Sequence, residues 1–293
     1  MASPFLMMSQ TISASSGKLI DVPDAITTRK DTFHIERGIS VKVISLLLCS
    51  VALAFSYPKP THMNLKEVET QIDSILTATV GKFGIAFKDL QTGETIYRNP
   101  KERFHAASTM KTPVMIEVFN QARHKKFSLD DSIQIANNFS SLIDGSPYSL
   151  DISSDSDDSL YALLGKKASI RALVYAMITV SSNLATNLLM QKIEARNVQR
   201  TMRRMGLKDI QILRGVEDGK AFEAGKNNTT TAKDLSIVYE KLARKKIVSR
   251  KACDEMLDVL LHQKFNEMLP SMLPKKVKVA HKTGSITGVQ HDA

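Results

Sequence analysis

The stretch Phe104-His105-Ala106-Ala107-Ser108-Thr109-Met110-Lys111-Thr112-Pro113-Val114-Met115-Ile116-Glu117-Val118-Phe119 decides how the chain is read. It reads as a loop running into an apolar helix, with Ser108 near the helix start and Lys111 three residues on. Residues three apart share a helix face, one turn apart, so the Lys111 amine can sit beside the Ser108 hydroxyl. The helix N-terminus adds free N–H groups and positive potential at the same place. A serine hydroxyl is a weak nucleophile until a neighbouring base takes its proton. A lysine in low-dielectric or positive surroundings can lose its own proton and become that base. The spacing alone is not specific, because Ser15-Ser16-Gly17-Lys18 repeats it in a polar stretch without helical period. Standing by itself, the pattern fits a capping serine and a solvated lysine better.

Outward from this stretch, 293 residues suffice for one large domain or two intimate ones with a sizeable core. A composition of 43% hydrophobic and 24% charged residues is that of a globular chain. The formal net charge of +10 raises the question of nucleic acid or anionic surfaces. The basic residues are scattered, as in Arg203-Arg204, Arg244-Lys245-Lys246 and Lys275-Lys276, with little aromatic interleaving, so solvated basic faces are expected and no nucleic-acid partner. The two cysteines, Cys49 and Cys253, imply no internal disulfide once a leader carrying Cys49 is removed.

Residues 1–57 read as a disordered extension followed by a signal-peptide-like leader. Val43 to Phe55 is an uncharged apolar run of 13 residues, preceded by Arg37 and Lys42, and Ala52-Leu53-Ala54 has the small-x-small form of a cleavage site. Thirteen residues are too few to span a bilayer and suit an export signal. The expected location is therefore secreted or periplasmic, with the leader contacting the membrane during export and an uncleaved leader leaving the protein anchored. The run lies deep in the chain, with no methionine between Met8 and Met63, so either the leader has a long forward extension or translation starts elsewhere.

Beyond it, Asn64 to Val80 has helical periodicity behind an Asn64 cap. Phe83 to Asp89 alternates like a strand, Gln91-Thr92-Gly93-Glu94 turns, and Thr95-Ile96-Tyr97 returns as a hairpin. The serine- and aspartate-rich segment Ser149 to Ser159 reads as a loop. It is not a calcium loop, because Ser156 and Ala162 stand where the glycine and glutamate are needed. Ser169 to Val180 and the run from Leu184 to Ile193 are helices joined by a polar corner that presents Ser181 and Asn183. Arg214 to Asn228 is a long surface loop; its Gly215…Gly219-Lys220 is a residue short of a phosphate loop and is followed by Ala221, which excludes nucleotide binding there. Thr231 to Leu242 and Arg250 to Gln263 are helical, and Val277 to Thr283 reads as a strand ending at Gly284.

Three pieces thus stand in one order: Ser108-x-x-Lys111, Ser181-Ser182-Asn183 and Lys282-Thr283-Gly284. With the flanks Val180 to Asn187, Asn227 to Ala232 and His281 to Ser285, the chain from about 62 to 293 resembles the active-site serine penicillin-recognising enzymes, most closely the class A β-lactamases. The resemblance implies an α+β fold, with an antiparallel sheet flanked by helices plus an all-helical lobe. It places the domain at 58–293, with an α/β lobe of 62–105 and 265–293 and a helical lobe of 106–264. It also implies a serine β-lactamase in which Ser108 is acylated by a β-lactam, Lys111 is a base and Ser181 relays a proton to the leaving nitrogen. Backbone N–H groups of Ser108 and Ser285 would form an oxyanion hole. Asn183, Lys282, Thr283, Gly284 and Ser285 would bind substrate, Lys282 and the hydroxyls of Thr283 and Ser285 taking its carboxylate. The family needs neither metal nor organic cofactor, and a monomer is expected.

Three departures leave alternatives open. Ser182 stands where class A enzymes usually have aspartate. The omega loop should carry a glutamate with an asparagine four residues later to activate the deacylating water; here Glu217 is followed by Ala221, and Glu223 is a second candidate. Without a placed base the acyl-enzyme would persist, as in a penicillin-binding D,D-peptidase or esterase acting on peptidoglycan-like substrates. Nine residues follow Gly284, fewer than the family's remaining strands and helix need. The third strand would then be an exposed edge unless the sheet is completed another way, and a non-catalytic β-lactam-binding protein becomes the third reading.

Overall fold

The structure, a computed structural model, describes residues 6–13, as backbone, and 64–293. Its first half runs β1 (Leu6–Ser13), α1 (Leu65–Ala78), β2 (Lys82–Asp89), β3 (Thr95–Arg98), β4 (Phe104–His105), a 3-10 turn at Ala107–Met110, α2 (Lys111–Arg123), β5 (Ser132–Gln134), β6 (Phe139–Ser140), β7 (Pro147–Tyr148) and β8 (Lys167–Ser169). There follow α3 (Ile170–Thr179), α4 (Asn183–Ile193), α5 (Ala195–Arg204), α6 (Gly219–Glu223), β9 (Thr229–Thr230), α7 (Ala232–Ala243), α8 (Arg250–Leu261), β10 (Thr283–Ile286) and β11 (Val289–Asp292). The chain divides into two compact units, residues 17–74 and residues 1–16 with 75–293. The sheet and every site residue named above belong to the latter. The fold is α+β, as the sequence implies.

An antiparallel five-stranded sheet has the order β10-β11-β1-β2-β3. The β2–β3 hairpin forms where it is expected. Asp89 Oδ1 accepts the N–H groups of Gln91 (2.6 Å) and Thr92 (3.0 Å), and Gly93 supplies the positive φ of 82° that the turn requires. Phe83, Ile85, Ala86 and Phe87 are all buried, so β2 is covered on both faces rather than alternating in and out. Helix α7 packs on β1 and β2 on one side and on α8 on another.

Helix α2 forms the axis of the helical part, with α3, α4 and α5 packed around it. Val114, Met115, Ile116 and Val118 are fully buried, which makes α2 apolar nearly all round. Its one acidic side chain is satisfied internally: Glu117 accepts from Gln121 at 2.9 Å, Thr201 at 2.6 Å and Asn120 at 3.0 Å. A charge left unpaired there would be expensive.

Four expectations change. Within residues 1–57, expected to be a disordered extension and a signal-peptide-like leader, Leu6–Ser13 is the central strand of the sheet, paired to β2 from Leu6↔Asp89 to Ser13↔Lys82 and to β11 from Gln10↔Asp292 to Ile12↔Gln290. Backbone pairing on both sides makes this strand, and local side-chain periodicity carries no trace of it. It also completes the sheet beside β11, so that β10 is the edge strand next to β11 rather than an unsupported one. The strand read at Val277 to Thr283 begins at Thr283. Before it, Val277 N–H bonds Pro274 in a turn and His281 N–H bonds Leu260 of α8, so these groups do not pair across a sheet. The loop from Arg214 to Asn228 contains the short helix α6, capped by Asp218. Finally, Ser108 sits in the 3-10 turn rather than on an α-helix, and in such a turn residues three apart eclipse one another.

The apolar run Val43 to Phe55 and the leader lie outside the described residues. Among the described residues no helix is long and apolar enough to cross a membrane, and Cys253 is a buried free thiol.

A proline in β1 tests its central place. Gln10→Pro removes a ladder N–H from a central strand and should destabilise the chain, read as a lower denaturant midpoint. An unchanged midpoint would show that residues 6–13 do not pair in the sheet.

Candidate active site

Ser108 is carried by a backbone held under strain. Ala107, just before it, has φ 45°, a left-handed conformation unusual for a residue with a side chain. His105 Nδ1 accepts the Ala107 N–H at 3.0 Å and steadies it, and burial lowers the affinity of that imidazole for a second proton, with Arg214 adding to the effect. Across from the turn runs β10. A Cβ on Gly284 would lie 3.0 Å from the backbone nitrogens of both Ser108 and Thr109. Only glycine lets the strand approach the nucleophile turn this closely. Ser108, Ser181, Thr283, Gly284 and Ser285 line one cleft.

Lys111 is fully buried at the start of α2. Its Nζ donates to the Ser181 carbonyl (2.5 Å), the Ser181 hydroxyl (3.0 Å) and Asn183 Oδ1 (2.8 Å). Burial pushes the amine down from 10.5 to about 7, against the opposing pull of Asp155 and Glu217. Ser181 is itself held at φ 58° on the corner between α3 and α4. Its hydroxyl also accepts from Lys282 Nζ at 3.1 Å, so two buried amines converge on one oxygen. Lys282 is likewise pushed well below its ordinary value, by burial first and by Lys111 second, with Asp292 opposing.

Glu217 reaches this cluster. Its Oε1 accepts from Asn183 Nδ2 at 2.7 Å, while the other end of the same amide holds Lys111. Burial raises the Glu217 carboxyl, and its bonds to Asn183 and to the Asp151 N–H moderate the rise. The residue has φ 59° and is held there by its loop. Asn187 clamps the preceding residue, Oδ1 accepting Val216 N–H at 2.7 Å and Nδ2 donating to the Val216 carbonyl at 3.0 Å. A Cβ on Gly215 would come within 2.2 Å of that Asn187 oxygen, so glycine is needed there as well. Arg214 and Asn228 close the loop base: Arg214 Nε donates to Lys226 O (2.9 Å), and Asn228 Oδ1 accepts Leu213 N–H (2.7 Å). Glu223, the other candidate, is exposed at the end of α6.

With this geometry, residues 67–293 match the family described as the beta-lactamase enzyme family. The chain belongs to that family. It is similar to the β-lactamase CARB-3 of Pseudomonas aeruginosa, 23% identical over 246 residues that cover 82% of this chain and 78% of the relative. Among solved structures it resembles a β-lactamase from Sphaerobacter thermophilus, with a TM-score of 0.64 and 26% identity over 76% of this chain and 81% of that one. It also has the fold of PBP-A, with a TM-score of 0.62 and 22% identity over 78% and 85% of the two chains.

In this β-lactamase-family chain Ser108, Ser181, Thr283, Gly284 and Ser285 line the cleft, Lys111 and Lys282 bond the Ser181 hydroxyl, and Glu217 is joined to Lys111 through Asn183; two supporting residues carry no sequence signal. Asp292 is completely buried; it accepts from His281 Nδ1 at 2.7 Å and from Leu269 N–H at 3.0 Å, next to Lys282. Asp155 bonds the Asn183 N–H at 2.8 Å. Neither lies in a motif: Asp155 acts on a helix start 28 residues later, and Asp292 acts across the β10–β11 pair on His281. Among the described residues no cluster of metal-ligating side chains occurs.

Gly284→Ala should force β10 away from the nucleophile turn and lower kcat/KM by about 100-fold, the scale of an ångström's misplacement, while thermal melting stays cooperative. Unchanged kinetics would show that the close approach of β10 does not matter.

Proposed function

We propose that this chain is a serine β-lactamase that opens the β-lactam amide through an acyl-enzyme on Ser108. The observation that supports it best is the Asn183 side chain, whose two ends hold Lys111 and Glu217 at 2.8 and 2.7 Å. One amide thereby registers a base for acylation and a base for deacylation. In this reading neutral Lys111 takes the Ser108 proton as Oγ bonds the lactam carbonyl carbon. The oxyanion is met by the N–H groups of Ser108 and Ser285. When the C–N bond breaks, the proton passes from Lys111 through the Ser181 hydroxyl, 3.0 Å away, to the leaving nitrogen. Ionised Glu217 then takes a proton from water, whose oxygen bonds the acyl carbon; the ester C–O bond breaks and a proton returns to Ser108 Oγ.

Lys282, with the hydroxyls of Thr283 and Ser285, would take the substrate carboxylate. That anion favours the charged form of Lys282, and a charged Lys282 sharing the Ser181 oxygen keeps Lys111 neutral. The reaction needs no cofactor.

A penicillin-binding D,D-peptidase with slow deacylation is the second reading. It is favoured by Ala221, which offers no side-chain amide to share a water with Glu217, and by the shared fold with PBP-A, of which a mutant is known as an acyl-enzyme complex with penicillin-G.

Stopped-flow with a chromogenic cephalosporin separates the readings. Sustained turnover, lost in Ser108→Ala and reduced to one stoichiometric burst in Glu217→Gln, is expected. A lone burst from the unaltered chain would make it peptidase-like, and hydrolysis surviving in Ser108→Ala would refute the nucleophile.

The pH dependence has a definite sign. Lys111 is a base only when neutral, so the acylation rate should rise with pH through about 7 and fall below it. Deacylation needs Glu217 ionised, and its raised carboxyl makes that step fail at a higher pH than for an exposed glutamate. An acylation rate flat from pH 5 to 9 would remove Lys111 as the base.

A further inference from the structure

We propose that Asp155, in the serine- and aspartate-rich segment between β7 and α3, is a positioning residue for this reaction: its carboxylate seats the N-terminus of α4 and thereby fixes Asn183 between Lys111 and Glu217. The proposal rests on the hydrolase reading given above. Asp155 Oδ1 accepts the Asn183 N–H at 2.8 Å, and Oδ2 accepts the Leu184 N–H at 2.9 Å. These are two of the N–H groups that the first turn of a helix leaves without intrahelical partners, at the end where the helix dipole favours an anion. The Tyr161 hydroxyl donates to Oδ2 at 3.1 Å and steadies the carboxylate.

The family pattern has its aspartate at the position of Ser182, one residue before Asn183. Here the Ser182 hydroxyl accepts only a long bond, from Ala185 N–H at 3.3 Å, and donates to Asp155 at 3.5 Å. The carboxylate missing from the motif is thus supplied from 27 residues earlier in the chain. The same segment touches the other arm of the site, because the Asp151 N–H donates to the Glu217 carboxylate. Segment 151–155 therefore braces Asn183 and Glu217, and Ser156, next in sequence, lines the cleft.

A purely structural cap would leave the chemistry's pH dependence alone, whereas Asp155 acts on the charge of Lys111. The charged groups facing Lys111 are Asp155, Glu217 and Lys282. Asp155 and Glu217 favour the ammonium form, Asp155 the more strongly. Removing the Asp155 charge should leave Lys111 neutral down to a lower pH.

The experiment follows acylation of the full chain by a fluorescent penicillin across pH, with Ser108→Ala as control and thermal melts alongside. Asp155→Asn keeps the shape and removes the charge. It should slow acylation by about 10- to 100-fold, as misplaced catalytic groups do, and move the acidic limb of the rate to lower pH. Asp155→Asn combined with Ser182→Asp returns a carboxylate to the same helix end and should recover most of the lost rate, which also answers any doubt about the fold of the single variant. Labelling of the unaltered chain at Ser108 together with an unmoved limb in Asp155→Asn, or no recovery in the double variant, overturns the proposal alone. No labelling of the unaltered chain at Ser108 overturns the hydrolase reading, and the proposal with it.

Discussion

The structure of this site depends on one constraint, the burial of the Lys111 amine. A lysine with no exposed surface must either find partners for all its protons or give one up. Lys111 stands between the two: three acceptors surround Nζ and can take all the protons of its ammonium form, while burial lowers its proton affinity towards neutrality. Two of the acceptors belong to Ser181 and the third to Asn183, so the corner between α3 and α4 has to stand directly over the start of α2. The apolar packing of α2 against α3 and α4 keeps it there.

Three residues around that amine carry backbone strain. Ala107, Ser181 and Glu217 all adopt positive φ, and each carries or adjoins a group in the proposed chemistry. Conformations of this kind persist only where the surroundings over-determine them. Here the restraints are specific: His105 holds the Ala107 N–H, Lys111 holds the Ser181 carbonyl, and Asn187 with the Asp151 N–H holds the omega loop at Glu217. The two glycines at close approach, Gly284 beside the nucleophile turn and Gly215 beside Asn187, remove the side chains that would prevent these restraints from forming.

Much of this was legible in the amino-acid sequence, and what was not has a physical reason. Ser108, Lys111, Ser181, Asn183 and Lys282 stand in short motifs, so their spacing could be read directly, and the β2–β3 hairpin announced itself by its turn residues. Glu217 was readable only as one of two loop carboxylates, because nothing local separates a glutamate facing Asn183 from Glu223 facing solvent. Asp155 carries no local signal, because the helix end it seats lies 27 to 29 residues later and an Asp–Ser run looks like any polar loop. The strand at Leu6–Ser13 was invisible because its partners lie at β2 and β11, and pairing between distant segments leaves no local pattern.

The most direct test of the account is the proton affinity of Lys111 itself. Lysines labelled with 13C at Cε can be followed by NMR as the pH is changed, with the Lys111 resonance assigned by its absence from Lys111→Arg. The account predicts a titration midpoint near 7. A midpoint near the ordinary value of 10.5 would mean that Lys111 stays charged at neutral pH, and it would contradict the role given to it in activating Ser108.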